Sequence, residues 1–238
     1  MKVTKSSIHR TGTIWTLPTI EREATVEAVC DALEIAYGRP RLGNPEDPLD
    51  DLIYIILSNK TSSIVSKRLY VQLKQGFESW DELLRSSVGQ LREILRPGGL
   101  SEIKSLQIRA LLAAISRDFG ACDLAALKVR MPSEIEAYLK SLPGVSTKVA
   151  KCAMLFTMDA AVLPVDAHVH RVSKRIGWTS RKRADQCHEE LEALVPPERR
   201  FAFHVDCIEH GRSLCRPLNP ACDLCPVNRH CAFRKTTK

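Results

Sequence analysis

The sequence predicts an all-α protein, and three observations carry that reading. Apolar residues recur at helical spacing along most of the chain, start and stop signals bracket those stretches, and no alternating strand pattern of useful length appears. The chain has 238 residues, 44% hydrophobic and 26% charged, which is the profile of a soluble globular protein with one large domain or two small ones. It shows no solenoid repeat and no low-complexity segment.

The elements follow in order. Val26–Tyr37 reads as a helix stopped by Gly38 and Pro40. Residues 39–48 hold Pro40, Gly43, Asn44, Pro45 and Pro48, which is loop chemistry. Asp47 then caps a helix with Pro48 at its first position. Its run Leu52–Leu57 is apolar throughout and reads as a buried helix, because Ser66–Leu73 beyond it is helical in pattern. Further helices are predicted over 79–85, 88–95, 102–117 and 133–140, the last with Ser133 and Glu136 as a capping box. The remainder cover 147–158, 167–176, 183–194 and 201–210.

Charge and cysteines bound the function. Lys and Arg exceed Asp and Glu by 35 to 28, a net +7 that favours polyanionic partners. Six of the basic residues lie between Arg171 and Arg183 with no acid among them, a strip that suits phosphates. No apolar run approaches the roughly 20 residues of a membrane-spanning helix, so no membrane function is expected. Met1–Leu17 carries Lys2, Lys5 and Arg10 without the apolar segment of a secretory signal. Nine cysteines, an odd number, argue against a pure disulfide framework and for a reducing, intracellular compartment.

Four of those cysteines are crowded: Cys215, Cys222, Cys225 and Cys231, spaced Cys-x6-Cys-x2-Cys-x5-Cys. Pro217, Pro220 and Pro226 supply the turns that would let four thiolates converge. Four thiolates suit structural zinc or a [4Fe–4S] cluster. Zinc sites usually pair two short Cys-x-x-Cys knuckles, and one is present, so the spacing favours iron–sulfur modestly.

Residues 141–148 read Ser-Leu-Pro-Gly-Val-Ser-Thr-Lys between two helices. A tight turn at Gly144 would expose backbone N–H groups at the next helix start, which bind phosphate without reading sequence. Lys148 lies in that first turn, where the helix dipole disfavours an ammonium and favours a nucleophilic amine. Downstream, Asp166 in Val165-Asp166-Ala167-His168 precedes a helix and is a natural N-cap.

Together these motifs resemble the endonuclease III family of DNA glycosylases, in the helix-hairpin-helix superfamily, over about residues 45–233. The cysteine loop is similar to that family's [4Fe–4S] loop, and the hairpin is similar to its Leu-Pro-Gly-Val-Gly turn. The resemblance makes Lys148 the Schiff-base lysine and Asp166 the catalytic aspartate, with His168 supporting the loop. Gly99-Leu100 with Lys104 resembles the family's Gly-Leu-x-x-x-Lys loop, with Leu100 as the apolar wedge. Four departures stand out: Ser146 replaces a glycine, Ala167 a threonine and Lys60 the gap-filling glutamine, and only Arg216 is basic in the first cysteine loop. If position 146 needs a positive φ, serine there carries about 1 kcal/mol of strain. Trp80–Asp118 and Phe156–Trp178 also look like the catalytic region of plant 5-methylcytosine glycosylases.

The resemblance implies two helical lobes flanking a DNA-binding cleft. One is a six-helix barrel-like lobe over 42–160 with the hairpin; the other, over 1–41 and 161–238, holds the cluster. It implies a monomeric base-excision-repair enzyme of the cytoplasm or nucleoid, with glycosylase and abasic-site lyase activity. The substrate would be double-stranded DNA carrying an oxidised pyrimidine such as thymine glycol, or an abasic site. Lys60, Leu100, Lys104, Gly144, Ser146, Lys151 and Arg171 would contact the DNA. A thymine or uracil mismatch glycosylase, a weakly active iron–sulfur DNA-binding paralogue and a zinc-stabilised nucleic-acid-binding module are the alternatives.

Overall fold

The structure is a computed structural model that describes residues 9–11 and 14–236, with side chains from Leu17 to Lys235. Met1–Leu17, read above as lacking the apolar segment of a secretory signal, falls mostly outside those residues. Among the described residues, twelve α-helices make up nearly all the regular structure: α1 Thr19–Tyr37, α2 Pro48–Ser58, α3 Ser63–Gly76, α4 Trp80–Arg85, α5 Val88–Leu95, α6 Ser101–Phe119, α7 Pro132–Ser141, α8 Thr147–Thr157, α9 Ala167–Ile176, α10 His188–Leu194, α11 Arg200–Ser213 and α12 Ala232–Thr236. A short antiparallel hairpin, β1 His9–Thr11 and β2 Ile14–Thr16, precedes them. Three-residue strands are too short to show an alternation, so the sequence gives no sign of it.

The chain divides into two compact units, Gly43–Ala160 and a discontinuous one of Met1–Leu42 with Ala161–Lys238. The first holds seven helices, α2 to α8, where six were expected. Its centre is α2, whose residues Leu52–Leu57 are buried on every side by α3, α6 and α8. Asp47 starts this helix as expected: its Oδ1 accepts from the amides of Leu49 and Asp50, with Pro48 at the first position. Asp50 then ties three helices together, accepting from Tyr70 Oη at 2.7 Å, Trp80 Nε1 at 2.6 Å and Lys74 Nζ at 3.1 Å.

The second unit packs α11 against α1 and α9 around Leu33, Val172, Trp178, Phe203 and Cys207. Trp178 stacks on Phe203 at 5.3 Å and its indole N–H donates to Thr25 Oγ1. Two helix starts differ from the sequence reading. Helix α1 begins at Thr19 rather than Val26, because its first turns are polar and exposed and leave no apolar periodicity. Helix α7 begins behind Met131, whose amide donates to Glu134 Oε2, so Glu134 and not Glu136 guards that end. Residues 183–194 split into a 3-10 turn, Ala184–Gln186, followed by α10.

Candidate DNA-repair site

The hairpin is built by α7, a five-residue connection (142–146) and α8. Gly144 has φ +74°, which glycine tolerates and other residues rarely adopt. A Cβ there would also lie 2.4 Å from Gln107 Nε2, the amide that donates to Gly144 O at 2.9 Å. Ser146 corrects the expectation of strain. Its φ is −82°, and it is the N-cap of α8, with Oγ accepting from Val149 N. Serine here takes over an orphan amide of the helix start that a glycine would leave to solvent. Lys148 is the second residue of α8 and is half-buried. Lys151, expected at the DNA face, is 6% exposed, and its Nζ lies 3.4 Å from Glu136 Oε2. It braces α7 against α8 instead.

Two connections beside α2 carry the remaining predicted contacts of this unit. Lys60 is exposed after α2 with φ +54°, and Leu100 is exposed before α6 with φ +53°. Both are non-glycine residues in left-handed conformations. Lys104 departs from its expected place: it is 3% exposed, and its ammonium donates to Leu57 O and Thr61 Oγ1, each at 2.7 Å. Burial pushes its pKa down.

Asp51 is a residue the sequence reading missed. It is fully buried on α2, receives Asn44 Nδ2 at 2.6 Å through Oδ1, and leaves Oδ2 without a hydrogen bond. Burial pushes its carboxyl up to about 7, while the Asn44 hydrogen bond and the charge of Lys148 pull it down. The signal was available. Asp51 falls three and four residues before Tyr54 and Ile55, on a buried stripe of α2.

In the other unit, Asp166 is the N-cap of α9, with Oδ1 accepting from the amides of His168 and Val169, both at 2.8 Å. The cap leaves the second carboxylate oxygen unengaged by those amides. Arg171 does not face outward as a phosphate ligand. Its guanidinium donates to the carbonyls of Cys215 at 2.8 Å and Gly211 at 2.9 Å, satisfying the exit of α11. Gly211 is needed for that approach, since a Cβ there would meet His168 Nδ1 at 2.5 Å.

The four clustered cysteines lie after α11 and before α12. All four are free thiols, so no disulfide competes for them. Burial pushes the Cys225 thiol up to about 12, and the other three cysteines push the same way, so the four sense one another. Arg175 organises the loop: it donates to Cys215 Sγ at 3.3 Å, Arg216 O at 2.8 Å and Pro217 O at 3.0 Å. Among the described residues no three His, Cys, Asp or Glu side chains converge closely enough to hold a single metal ion. The donor set, four unpaired thiols on one short loop beside a guanidinium, fits a thiolate-bound cluster.

The hairpin ahead of a half-buried lysine, on an all-α scaffold, defines a helix-hairpin-helix protein. Residues 53–197 match the family model of the HhH-GPD superfamily of base excision DNA repair proteins. The chain belongs to that superfamily and is a base-excision DNA glycosylase of the endonuclease III family. It is 29% identical to endonuclease III of Thermotoga maritima over 202 residues, covering 85% of this chain and 91% of that one. It is 30% identical to a putative DNA glycosylase of Arabidopsis thaliana over 169 residues, 70% of this chain and 57% of the plant protein. Among solved structures, a non-covalent endonuclease III–DNA complex superposes with a TM-score of 0.78 at 22% identity, covering 90% of this chain and 97% of that one. A thermostable thymine-DNA glycosylase gives 0.76 at 20% identity, over 91% and 97%. At those identities the structural likeness speaks for the fold alone. No helix among the described residues is long and apolar enough to cross a membrane.

Proposed function

We propose that the chain is a bifunctional DNA glycosylase and abasic-site lyase acting on oxidised pyrimidines in double-stranded DNA. The observation that carries the reading is Lys148, half-buried in the first turn of α8 directly behind the Gly144 turn. A glycosylase must bring C1′ of a stacked nucleotide into reach, so the nucleotide leaves the helix. The Gly144 turn and the first-turn amides of α8 grip the backbone phosphates beside it. Lys60 and Leu100 enter the stack from the two exposed connections.

The Lys148 amine then forms a bond to C1′, and the base departs with the electrons of the glycosidic bond and takes up a proton. Opening of the sugar ring leaves an imine between Nζ and C1′. Loss of a proton from C2′ expels the 3′ phosphate and cuts the strand. Asp166 supplies negative charge for the oxocarbenium character that develops at C1′. Cys215, Cys222, Cys225 and Cys231 would hold a [4Fe–4S] cluster, which when bound fixes the loop that Arg175 organises. An enzyme with this substrate works where DNA is, inside the cell, and the reading needs only one copy of the chain.

The test is borohydride trapping on duplexes carrying an abasic site, thymine glycol, uracil opposite guanine or thymine opposite guanine. The expected result is a covalent adduct on the abasic and thymine glycol duplexes. Lys148→Gln is expected to lower adduct yield at least about a hundredfold. Adduct formation by that variant would refute the lysine assignment. Adduct on the mismatched duplexes alone would move the substrate to mispaired thymine or uracil.

A further inference from the structure

Lys104 is a buried cation with no carboxylate paired to it among the described residues. Such a group is costly unless its donors are well used. Two of them are used on the ends of one connection. Leu57 O belongs to the last turn of α2, where helix carbonyls lack amide partners and the dipole favours a cation. Thr61 Oγ1 lies across the Lys60 turn. The Thr61 hydroxyl, accepting from Lys104, donates onward to Gly98 O at 3.0 Å. A single polarised chain therefore runs from the end of α2, through Lys104 and Thr61, to the connection that carries Leu100.

That chain joins the two strained places in this part of the fold. Lys60 and Leu100 both hold positive φ, a conformation that strains a non-glycine residue and persists only where surrounding contacts over-determine it. The packing is tight as well: a Cβ on Gly98 would lie 2.4 Å from Leu69 Cδ1 and 3.8 Å from the Thr61 methyl group. Lys104 itself sits in the first turn of α6, four residues after Leu100, and its amide donates to Leu100 O at 2.9 Å. Backbone and side chain of one residue thus hold both connections.

We propose that Lys104 is a positioning residue that locks the Lys60 and Leu100 connections into one rigid pair, so that the two side chains enter the base stack together. This rests on the role given to those connections above. A lysine on the phosphates would act on affinity; a lysine beneath the two connections acts on the base-opening step.

The experiment reads base opening without chemistry. Duplexes carrying 2-aminopurine at and opposite the lesion position are bound by wild type, Lys104→Met, Thr61→Val and Leu100→Ala, and fluorescence is compared with affinity from anisotropy. Wild type is expected to raise the fluorescence. Lys104→Met is expected to lose that rise about tenfold, because it removes a charged hydrogen bond from each connection, and Thr61→Val several-fold. Affinity for undamaged duplex should change less than about threefold, because no phosphate contact is removed. A rise equal to wild type in both variants would overturn the proposal, as would loss of affinity in proportion to fluorescence. If Lys104→Met does not fold by circular dichroism, Thr61→Val decides, since it breaks the second link and leaves the ammonium with Leu57. No fluorescence rise in wild type would overturn the role of the connections; trapping on abasic DNA in the same preparation would show that the glycosylase reading survives it.

Discussion

Asp50 and Asp51 are consecutive residues of α2, yet the two flanks of the helix treat them in opposite ways. Asp50 faces α3 and α4 and receives three donors, Tyr70, Lys74 and Trp80. Asp51 is buried on another flank, receives Asn44 alone, feels the charge of Lys148 and keeps one oxygen unsatisfied. The first flank is finished as a scaffold is finished, with every acceptor used. The second carries a polar defect beside the proposed nucleophile, which is where unsatisfied groups and unusual protonation concentrate in enzymes.

The largest expected effect breaks the finished flank. Asp50→Asn places an amide N–H among three donors and removes the charge that Lys74 and the Trp80 indole use. It should lower stability by about 3 kcal/mol, read as a fall in the urea midpoint at constant slope. Tyr70, whose hydroxyl is pushed up by burial and then by the Asp50 hydrogen bond, should return toward ordinary phenol titration in that variant. A midpoint within error of wild type would mean the three bonds are replaceable by water.

The second effect has the opposite sign. The folded pKa of Asp51, about 7, lies above its ordinary 3.8. The folded protein then binds this proton more tightly than the unfolded chain does. Stability from this site therefore falls as pH rises from about 4 through 7, and the full cost is present above 7. Asp51→Asn should remove that cost. At 1.36 kcal/mol per unit the ceiling is about 4 kcal/mol, and the unpaired N–H of the new amide takes part of it back, leaving roughly 2 kcal/mol. Urea midpoints at pH 8 and pH 4 check it: the variant should be the more stable at pH 8 and the less stable near pH 4, where the wild-type carboxyl is protonated and only the penalty of the new amide remains. Destabilisation at pH 8 would mean that the attraction of Lys148 outweighs the burial.

The contrast also explains what could be read from the sequence. Asp47 and Pro48 announced the start of α2 because a cap and a proline act within one turn of chain. The Gly144 turn, Lys148 and Asp166 were legible for the same reason, since each sits at a helix start with its own local signature. Lys104, Lys151 and Arg171 were placed at a DNA face because a basic residue in a basic chain reads as a phosphate ligand. Their actual partners are Leu57 O, Glu136 and the carbonyls of Gly211 and Cys215, acceptors from other parts of the chain that only tertiary packing brings near. Gln107 beneath Gly144 and Arg175 under the cysteine loop were missed on the same ground. A long cationic side chain carries no local mark of which carbonyl it will find.

Ser146 gives the smallest effect and sharpens the contrast at the site itself. Its φ of −82° shows that the position needs no glycine, and its Oγ accepts from Val149 N at 3.4 Å, a long cap bond. Ser146→Ala should therefore cost about 1 kcal/mol or less, and Ser146→Gly only a few tenths. The two variants separate fold from function, because they act on the same helix start that presents Lys148. If the cap merely stabilises α8, thermal midpoints should order as wild type, glycine, alanine, and trapping rates should follow no such order. If the serine hydroxyl competes with a phosphate for the α8 amides, Ser146→Gly should bind abasic duplex more tightly than wild type despite its slight loss of stability. The comparison needs only a melting curve and a salt titration of binding for each variant, and the glycine variant, restoring the family's own residue, is the more informative of the two.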